Sequence, residues 1–246
     1  MTRREFVKRG RGSPPGLLAA EARGLDWLRV EGGPPLPHVL ELQPDELVLE
    51  WIEPGRPSAE AGEAFGRRLA QMHTSIDAEP YGAPEDGFIG PLPLDNTRHD
   101  DWPSFYAERR LAPYLPGLDR DTRQAVEHVI ACIDEVAGPT DEPARIHGDL
   151  WSGNVLWSVD GQVWLIDASS AHVGHRETDL AMLALFGAPY LDHILRAYDE
   201  VTPLTAGWRE RVPLHQLHPL LVHVQLFGGG YVDQLRAAAR SAIHSA

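Results

Sequence analysis

The segment from Ile146 to Asp167, IHGDLWSGNVLWSVDGQVWLID, constrains the fold of this chain more than any other stretch. Its centre is Asp160-Gly161, a dipeptide that favours a tight turn between antiparallel strands, and runs rich in valine, leucine and tryptophan lie on both sides. Asn154 comes just before the first run and Asp167 just after the second. A hairpin therefore brings these two polar side chains to the same end, side by side.

The polar residues around this hairpin have the composition of a phosphoryl-transfer site. The amide of Asn154 and the carboxylate of Asp167 offer oxygen ligands of the kind that hard divalent cations prefer. Asp149 lies five residues before Asn154, so a loop can hold a third oxygen near the metal ion without binding it. A base placed there accepts the proton of an attacking hydroxyl while Mg²⁺ spreads the charge of the phosphate.

Lys8 is the only lysine among 22 basic residues, and all the others are arginines. This lysine is therefore a candidate for a site that needs a compact ammonium instead of a planar guanidinium, and the alternative is a stray lysine near the terminus. A helix predicted for Leu17–Leu28 carries Glu21 on its apolar stripe. Because a carboxylate on a buried face needs a partner, and Lys8 lies on the preceding predicted strand, we expect the two to pair.

The order of the predicted elements indicates a small β-rich part followed by a large helical part. The predicted strands lie at Arg4–Arg9, Pro37–Leu42 and Leu47–Ile52, the last two around a turn at Pro44-Asp45. A Pro-Gly-rich stretch then ends the pattern, and helical spacing dominates the rest. We therefore predict an α+β chain with an N-lobe at residues 1–52 and a helical C-lobe at residues 53–246.

Within the predicted C-lobe, helical spacing covers residues 61–72 and 126–136, while residues 88–97 (FIGPLPLDNT) read as a loop. The part after Thr178 reads as several helices. The predicted breaks between them fall at Gly187, Pro203, Pro213 and Gly228-Gly229-Gly230.

The charge and composition of the chain limit the classes of partner that it can bind. A net charge of −14 and a pI near 5.2 argue against nucleic acid or an anionic membrane surface as a partner. No apolar run approaches the roughly 20 residues of a membrane span, the N-terminus lacks the apolar stretch of a secretory signal, and Cys132 is the only cysteine. We expect a cytoplasmic protein.

Three segments together resemble the fructosamine (ketosamine) kinases, which share a protein-kinase-like fold with aminoglycoside phosphotransferases and choline kinases. They are HGDLWSGNV from His147, GHRETDLAMLALFG from Gly174 and FIGPLPLDNT from Phe88. The pattern HGD-x4-N is common to the whole superfamily, whereas Trp151 and GHRE-x-DLAM narrow the resemblance to the ketosamine branch. It extends from Phe6 to the C-terminus and implies a two-lobed fold around a cleft.

The resemblance also implies roles for individual residues. Asp149 is expected to be the base, Asn154 and Asp167 the metal ligands, and Lys8 the lysine that holds the ATP phosphates, with Glu21 as its partner. Glu50, Trp51 and Ile52 resemble the hinge that meets adenine, and Trp151 and His223 resemble acceptor contacts. His147 is expected to orient the catalytic loop. His175 and Arg176 either reach the acceptor or pack structurally, and Glu177 and Asp179 either favour a helix N-terminus or shape the substrate side of the cleft.

The implied reaction is transfer of a phosphoryl group from ATP·Mg²⁺ to a sugar hydroxyl of a small-molecule or protein-bound ketosamine, a fructosamine or a ribulosamine, as a step in deglycation. The alternatives are a kinase for another hydroxylated amine, such as an aminoglycoside, and a degenerate fold that binds nucleotide without turnover. Two departures stand out: Ala168-Ser169 replaces the usual Pro-Ala, and only seven residues precede Lys8. We therefore expect an N-terminally shortened lobe without the glycine-rich phosphate lid, and weakened nucleotide binding.

Overall fold

A three-stranded antiparallel sheet with one helix against it begins the protein in the computed structural model, which describes residues 4–76 and 79–244. The strands, in the order β1-β3-β2, are β1 (Glu5–Arg9), β2 (Val39–Gln43) and β3 (Glu46–Glu50). Lys8 lies opposite Leu47 in this sheet. Helix α1 (Leu17–Trp27) packs Leu18 and Leu25 into the same core cluster as Leu49, so the helix that bears Glu21 faces the strand that bears Lys8.

Helices are the main secondary structure of the remaining chain, as predicted. The helices are α2 (Ala59–His73), α3 (Trp102–Phe105), α4 (Arg120–Ala131), α5 (Ile133–Val136), α6 (Arg176–Leu185), α7 (Leu191–Val201), α8 (Trp208–His215), α9 (Leu217–Phe227) and α10 (Val232–His244). Side-chain caps start several of them: Ser58 accepts from the N–H of Ala61 at α2, and Asp119 accepts from two N–H groups at α4.

Three short antiparallel strand pairs lie among the helices. They are β4 (Gly87–Ile89) with β5 (Leu92–Leu94), β6 (Ala144–Ile146) with β9 (His172–Gly174), and β7 (Val155–Trp157) with β8 (Val163–Leu165). The loop from His147 to Asn154 runs from the end of β6 to the start of β7. The β7–β8 hairpin is the one that Asp160-Gly161 predicts.

Two apolar clusters form the core. One joins α1, β3, α2, the β7–β8 hairpin, α6 and α7, and the other joins α3, α4, α5 and α8 to α10. The first cluster contains residues from both sides of position 52, so the sheet and α1 share a core with the helical part. The division at residues 52 and 53 remains a prediction. Within residues 4–76 and 79–244, every helix is too short or too polar to cross a membrane.

Three local predictions were wrong. Residues 88–94 of the segment expected to be a loop belong to the β4–β5 hairpin, because Gly90 takes a left-handed turn (φ 53°) and Ile89 and Leu94 are both buried. The helix predicted to run through Val136 breaks at Cys132, whose φ and ψ of −115° and 24° are not helical. Pro213 lies inside α8 instead of ending it, and the break falls at Gln216.

Candidate active site

The β7–β8 hairpin brings Asn154 and Asp167 to the same end, as the sequence predicts. Val155 pairs with Leu165, and the N–H of Ile166 donates to the carbonyl of Asn154 over 3.2 Å. Asp167 follows directly, with a left-handed backbone (φ 60°) that is uncommon for a residue other than glycine. This turn of the backbone ends the strand and sends the chain away from the hairpin.

Asp149 lies half-buried beside Asn154. The amide nitrogen of Asn154 donates to the carbonyl of Asp149 over 2.8 Å and to its Oδ2 over 3.2 Å. Burial raises the pKa of Asp149 to about 7, the hydrogen bond from Asn154 opposes that rise, and the charge of Asp179 adds to it. Because the nitrogen of the Asn154 amide faces Asp149, its oxygen is left to face elsewhere.

The buried carboxylate of Asp179 holds the backbone at the start of the loop from His147 to Asn154. Its Oδ2 accepts from the N–H of His147 over 2.8 Å and its Oδ1 from the N–H of Gly148 over 2.9 Å. His73 Nε2 lies 3.2 Å from Oδ2, and His73 Nδ1 lies 2.8 Å from the hydroxyl of Tyr198. Asp179 thus positions the residues directly before Asp149, a role that the sequence analysis did not find.

His147 ties the same loop to the end of β8. The N–H of Asp149 donates to His147 Nδ1 over 3.3 Å, so the imidazole carries its proton on Nε2. Nε2 then donates to the carbonyl of Ile166 over 2.8 Å. Burial keeps the pKa of His147 below its ordinary value, which favours this neutral form. The loop with Asp149 and the strand end with Asp167 are therefore fixed to each other through one ring.

Lys8 joins the N-terminal sheet to this site. Its Nζ lies 2.7 Å from Glu21 Oε1 and also forms an ion pair with Asp167 Oδ1. The predicted pairing of Lys8 with Glu21 is confirmed. The two side chains differ in exposure: that of Glu21 is 6% exposed and that of Lys8 is 22% exposed. The ammonium therefore sits at the boundary between the buried helix face and the solvent-facing side of Asp167.

A backbone contact holds α1 against the segment after Asp167. A methyl group at Gly24 would overlap the carbonyl oxygen of Ala168, so only glycine permits this approach. Ala168 is itself fully buried. Glu21 lies one turn earlier on the same helix, so the position of its carboxylate depends on this contact.

The predicted hinge, residues 50–52, begins at the last residue of β3. The N–H of Glu50 donates to the carbonyl of His38 over 2.9 Å, and the N–H of Trp51 to the carbonyl of Arg4 over 3.3 Å. The indole of Trp51 donates to Glu53 over 3.0 Å. These two N–H groups serve the sheet, so an adenine contact in this segment falls to Ile52 and to carbonyl groups. That role stays a prediction.

Trp151 and His223 lie in one aromatic cluster. Phe186 connects them, with ring centroids 6.0 Å from Trp151 and 5.0 Å from His223, and Phe227 and Tyr231 lie 5.4 and 4.9 Å from His223. Trp151 is 40% exposed and Phe227 is 67% exposed. His223 Nδ1 donates to the carbonyl of Pro219 over 2.7 Å, which leaves Nε2 as the hydrogen-bond acceptor.

The family model of the fructosamine kinases matches residues 2–245 of the chain. A probable ketoamine kinase of Thermus thermophilus is 36% identical over 232 residues, which are 94% of this chain and 85% of the relative. The chain belongs to the fructosamine kinase family. Membership makes it a kinase, and so a transferase.

Solved structures agree with the family. A candidate fructosamine-3-kinase of Thermobifida fusca has a TM-score of 0.92 at 51% identity, covering 98% of this chain and 86% of that one. An aminoglycoside phosphotransferase, APH(4)-Ia, in ternary complex with ADP and hygromycin B has a TM-score of 0.63 at 16% identity, covering 93% and 83%. The second likeness shows the fold alone. The fructosamine kinase fold here is thus the predicted α+β, protein-kinase-like fold of two lobes.

Arg176 of this fructosamine kinase family member is buried and bonded within the helical part. Its guanidinium donates to Asp141 over 2.6 Å, to Thr202 over 3.1 and 3.2 Å, and to the carbonyl of Pro203 over 2.9 Å. His175 caps α6 by accepting from the N–H of Glu177, and its ring lies 4.9 Å from that of Trp102. Because these contacts are structural, we do not include either residue in the proposed acceptor site.

Glu177 of the same family motif forms a buried ion pair. Arg211 donates to its Oε1 over 2.5 Å and to its Oε2 over 3.0 Å, and His215 Nε2 lies 3.3 Å from Oε2. His175, Glu177 and His215 bring potential metal-ligating atoms within 4.8 Å of one another. Since the guanidinium already neutralises the carboxylate, we assign this group to packing and not to a metal ion.

Proposed function

We propose that this chain transfers the γ-phosphoryl group of ATP, with Mg²⁺, to a sugar hydroxyl of a ketosamine. The observation that supports this most is the meeting of separate chain segments at one place. Asp149 and Asn154 come from the loop after β6, Asp167 from the end of β8, Lys8 from β1 and Glu21 from α1. A base, two oxygen ligands and a phosphate-binding ammonium are the parts that phosphoryl transfer requires.

The residues at the hairpin end fit a magnesium ion. The amide nitrogen of Asn154 is committed to Asp149, so its oxygen is available as a ligand, and Asp167 contributes a partly exposed carboxylate. Oxygen ligands of this kind are those that Mg²⁺ accepts together with phosphate oxygens. A magnesium ion held there supplies charge stabilisation for the transferred phosphoryl group.

The chain's own residues would act as follows. Lys8 holds the α- and β-phosphates, and its bond to Glu21 fixes where its ammonium points. Asp149 would take the proton of an acceptor hydroxyl as the new oxygen–phosphorus bond forms and the bond between the γ-phosphoryl group and ADP breaks, with ADP as the leaving group. Asp179 and His147 hold the backbone on which Asp149 is carried.

The acceptor end supports a sugar carried on an amine. The exposed ring of Trp151 offers a flat apolar surface of the kind on which sugars stack, and the free Nε2 of His223 accepts a hydrogen bond from a hydroxyl or an ammonium. The alternative acceptor, an aminoglycoside, is supported here only by a likeness that shows the fold alone. We therefore place ketosamines first, fructosamines and ribulosamines alike.

The test is single-turnover transfer from radiolabelled ATP with Mg²⁺ to fructosyl-lysine, ribulosyl-lysine and one aminoglycoside. Wild type should phosphorylate a ketosamine. Asp149→Asn should lower the rate of transfer about 10²–10⁴-fold and keep the affinity for the nucleotide. Asp160→Asn, the same change at the exposed tip of the hairpin, is the matched control. A substantial residual rate in Asp149→Asn, or transfer to the aminoglycoside alone, would count against the assignment.

A further inference from the structure

Three helices meet beneath the loop that carries Asp149. Asp179 lies in the first turn of α6, His73 is the last residue of α2, and Tyr198 belongs to α7. All three side chains are fully buried. Because buried polar groups need hydrogen-bond partners, these side chains must bond to one another or to the backbone around them.

The hydrogen bonds among the three residues run in one direction. An ionised carboxylate only accepts, so the contact of 3.2 Å between His73 Nε2 and Asp179 Oδ2 requires a proton on Nε2. Nδ1 of the same ring lies 2.8 Å from the hydroxyl of Tyr198. Burial raises the pKa of Tyr198, so this hydroxyl keeps its proton and donates a hydrogen bond to Nδ1. Tyr198 therefore orients His73, and His73 donates to Asp179.

The bond from His73 supports the form of Asp179 that binds the loop. The carboxylate accepts from His73 and from the N–H groups of His147 and Gly148. Burial works against ionisation of Asp179, but the hydrogen bond from His73 and the contacts with His147 outweigh it and keep the pKa of Asp179 below its ordinary value. The ionised group keeps all of its lone pairs for these donors, whereas a protonated one would give up an acceptor.

Close packing of α2 against α7 fixes the distance between His73 and Tyr198. A methyl group at Gly66 of α2 would overlap the carbonyl oxygen of Ile194 in α7, so the two helices lie as close as a glycine permits. Tyr198 follows Ile194 by about one helical turn, and His73 follows Gly66 by about two. The helix contact and the hydrogen bond therefore belong to one rigid unit.

We propose that His73 is a positioning residue of the phosphoryl-transfer site, because through Asp179 it holds the backbone just before Asp149. Tyr198 acts in turn through His73. A misplacement of about 1 Å at the reacting groups can lower a rate about 100-fold, so this buried chain of hydrogen bonds influences the reaction without touching a substrate. The effect on catalysis rests on the proposed function, whereas the effect on the loop backbone does not.

Two amide replacements of His73 separate its two contacts. His73→Gln keeps an N–H near the position of Nε2, and so the bond to Asp179, but loses the acceptor for Tyr198. His73→Asn keeps an acceptor for Tyr198 near the position of Nδ1, but loses the bond to Asp179. Both variants put an amide in place of the ring at the same buried position, so each is the control for the other.

Phosphoryl transfer should distinguish the two variants. His73→Asn should lower kcat about 100-fold and leave the KM for ATP unchanged, because Lys8 and Glu21 are not altered. His73→Gln should keep most of the wild-type kcat. Both are assayed at a temperature at which circular dichroism shows a folded protein. Equal kcat values in the two variants would overturn the role of His73.

Amide hydrogen exchange followed by NMR tests the loop without any substrate. In His73→Asn, exchange of the N–H groups of His147 and Gly148 should gain at least about tenfold relative to those of α4, since exchange reports local opening. In His73→Gln, the exchange of these two groups should stay close to that in wild type. Equal gains in the loop and in α4 would show a loss of global stability alone, and unchanged exchange would show that the loop is held without His73. Either result overturns the proposal.

Tyr198→Phe tests the second link and keeps the ring in its place. Loss of one neutral hydrogen bond should lower kcat about two- to tenfold and speed the exchange of the same two loop N–H groups. Tyr81→Phe is the control, because it removes another buried hydroxyl, which donates to the carbonyl of Asp141 over 3.0 Å, and it should leave kcat unchanged. Equal kcat values in these two variants would remove Tyr198 from the chain of positioning residues. If wild type itself transfers no phosphoryl group, the proposed function fails, and the exchange rates still decide whether His73 holds the loop.

Discussion

Two carboxylate–cation pairs in this protein have similar lengths and different surroundings. Lys8 and Glu21 lie 2.7 Å apart, with the lysine partly exposed and in contact with a second carboxylate, Asp167. Arg211 and Glu177 lie 2.5 Å apart with both side chains buried, and Arg211 also donates to Thr205 and to the carbonyl of Ala206. The first pair keeps capacity for a further anion. The second is satisfied within the protein.

This difference in exposure suits the first pair to ligand binding and the second pair to stabilising the fold. An ammonium that faces an open side can bind a phosphate without rearranging the fold, whereas a guanidinium bonded on all sides holds the fold and nothing else. Substitutions in the Lys8 pair should therefore change activity, and substitutions in the Arg211 pair should change the free energy of unfolding.

Arg211→Met should give the largest effect. It leaves the charge of Glu177 buried without its partner, and breaking a buried pair on one side typically costs about 3–5 kcal/mol of folding free energy. Urea unfolding followed by circular dichroism measures this. Arg209→Met is the control on the same helix, because Arg209 is exposed and stacks on Trp208. Equal losses in the two variants would show that the buried pair has no special role.

Lys8→Met should come next, with a fall of about 100-fold in kcat/KM, since hydrogen bonds to charged groups contribute about 1.5–3 kcal/mol each. Its stability should fall less than that of Arg211→Met, because Lys8 is partly exposed, although the buried Glu21 loses its partner. Arg9→Met, which removes the exposed neighbour that pairs with Glu46 at 3.6 Å, should keep full activity. If Lys8→Met unfolds the protein yet the folded fraction stays active, the comparison of the two pairs fails.

Gly24→Ala tests whether the Lys8 pair depends on the position of α1. The added methyl group would overlap the carbonyl of Ala168, so α1 must shift, and overpacking of this kind costs about 1–3 kcal/mol. We expect a raised KM for ATP together with the lower stability. Gly117→Ala is the control, because a Cβ there meets no atom within 4 Å. An unchanged KM would show that Glu21 is positioned without this contact.

The smallest expected effect is on the stability of the protein at acid pH. Burial works against ionisation of Glu177, but the adjacent ring of His215 and the hydrogen bonds from Arg211 outweigh it and keep the pKa of Glu177 below its ordinary value. A lowered folded-state pKa contributes stability above the unfolded value of about 4.3, and this is lost as the pH falls. Wild type should therefore lose stability more steeply below pH of about 4.3 than Glu177→Gln, as measured by urea titrations at each pH. Parallel slopes would contradict this.

The sequence predicted well what depends on neighbouring residues. The Asp160-Gly161 turn predicts the β7–β8 hairpin, and the structure differs only in placing Ile166, not Asp167, directly opposite Asn154. The Lys8–Glu21 pair was predictable because a lone lysine and a carboxylate on an apolar stripe stood close in the sequence. Local turn chemistry and helical spacing suffice for such features.

The sequence could not predict what depends on distant contacts. Asp179 binds the loop 32 residues before it and His73, 106 residues before it, so no local pattern reveals its role. Its only signal is a carboxylate directly before the apolar run Leu180-Ala181-Met182, where a buried charge needs partners. Phe186, which joins Trp151 to His223, was likewise found only once the fold brought three helical and loop segments together.

The left-handed backbone of Asp167 limits how this position can evolve. Among the residues that one nucleotide change reaches from an aspartate codon, only asparagine and glycine tolerate φ near 60° readily. Neither carries a negative charge. Glutamate keeps the charge, but its side chain is longer and it adopts the left-handed conformation less readily than aspartate. Every single-step neighbour therefore loses either the conformation or the charge. With Asp167 as the proposed metal ligand, every single-nucleotide replacement of this aspartate is therefore expected to lower the rate of phosphoryl transfer.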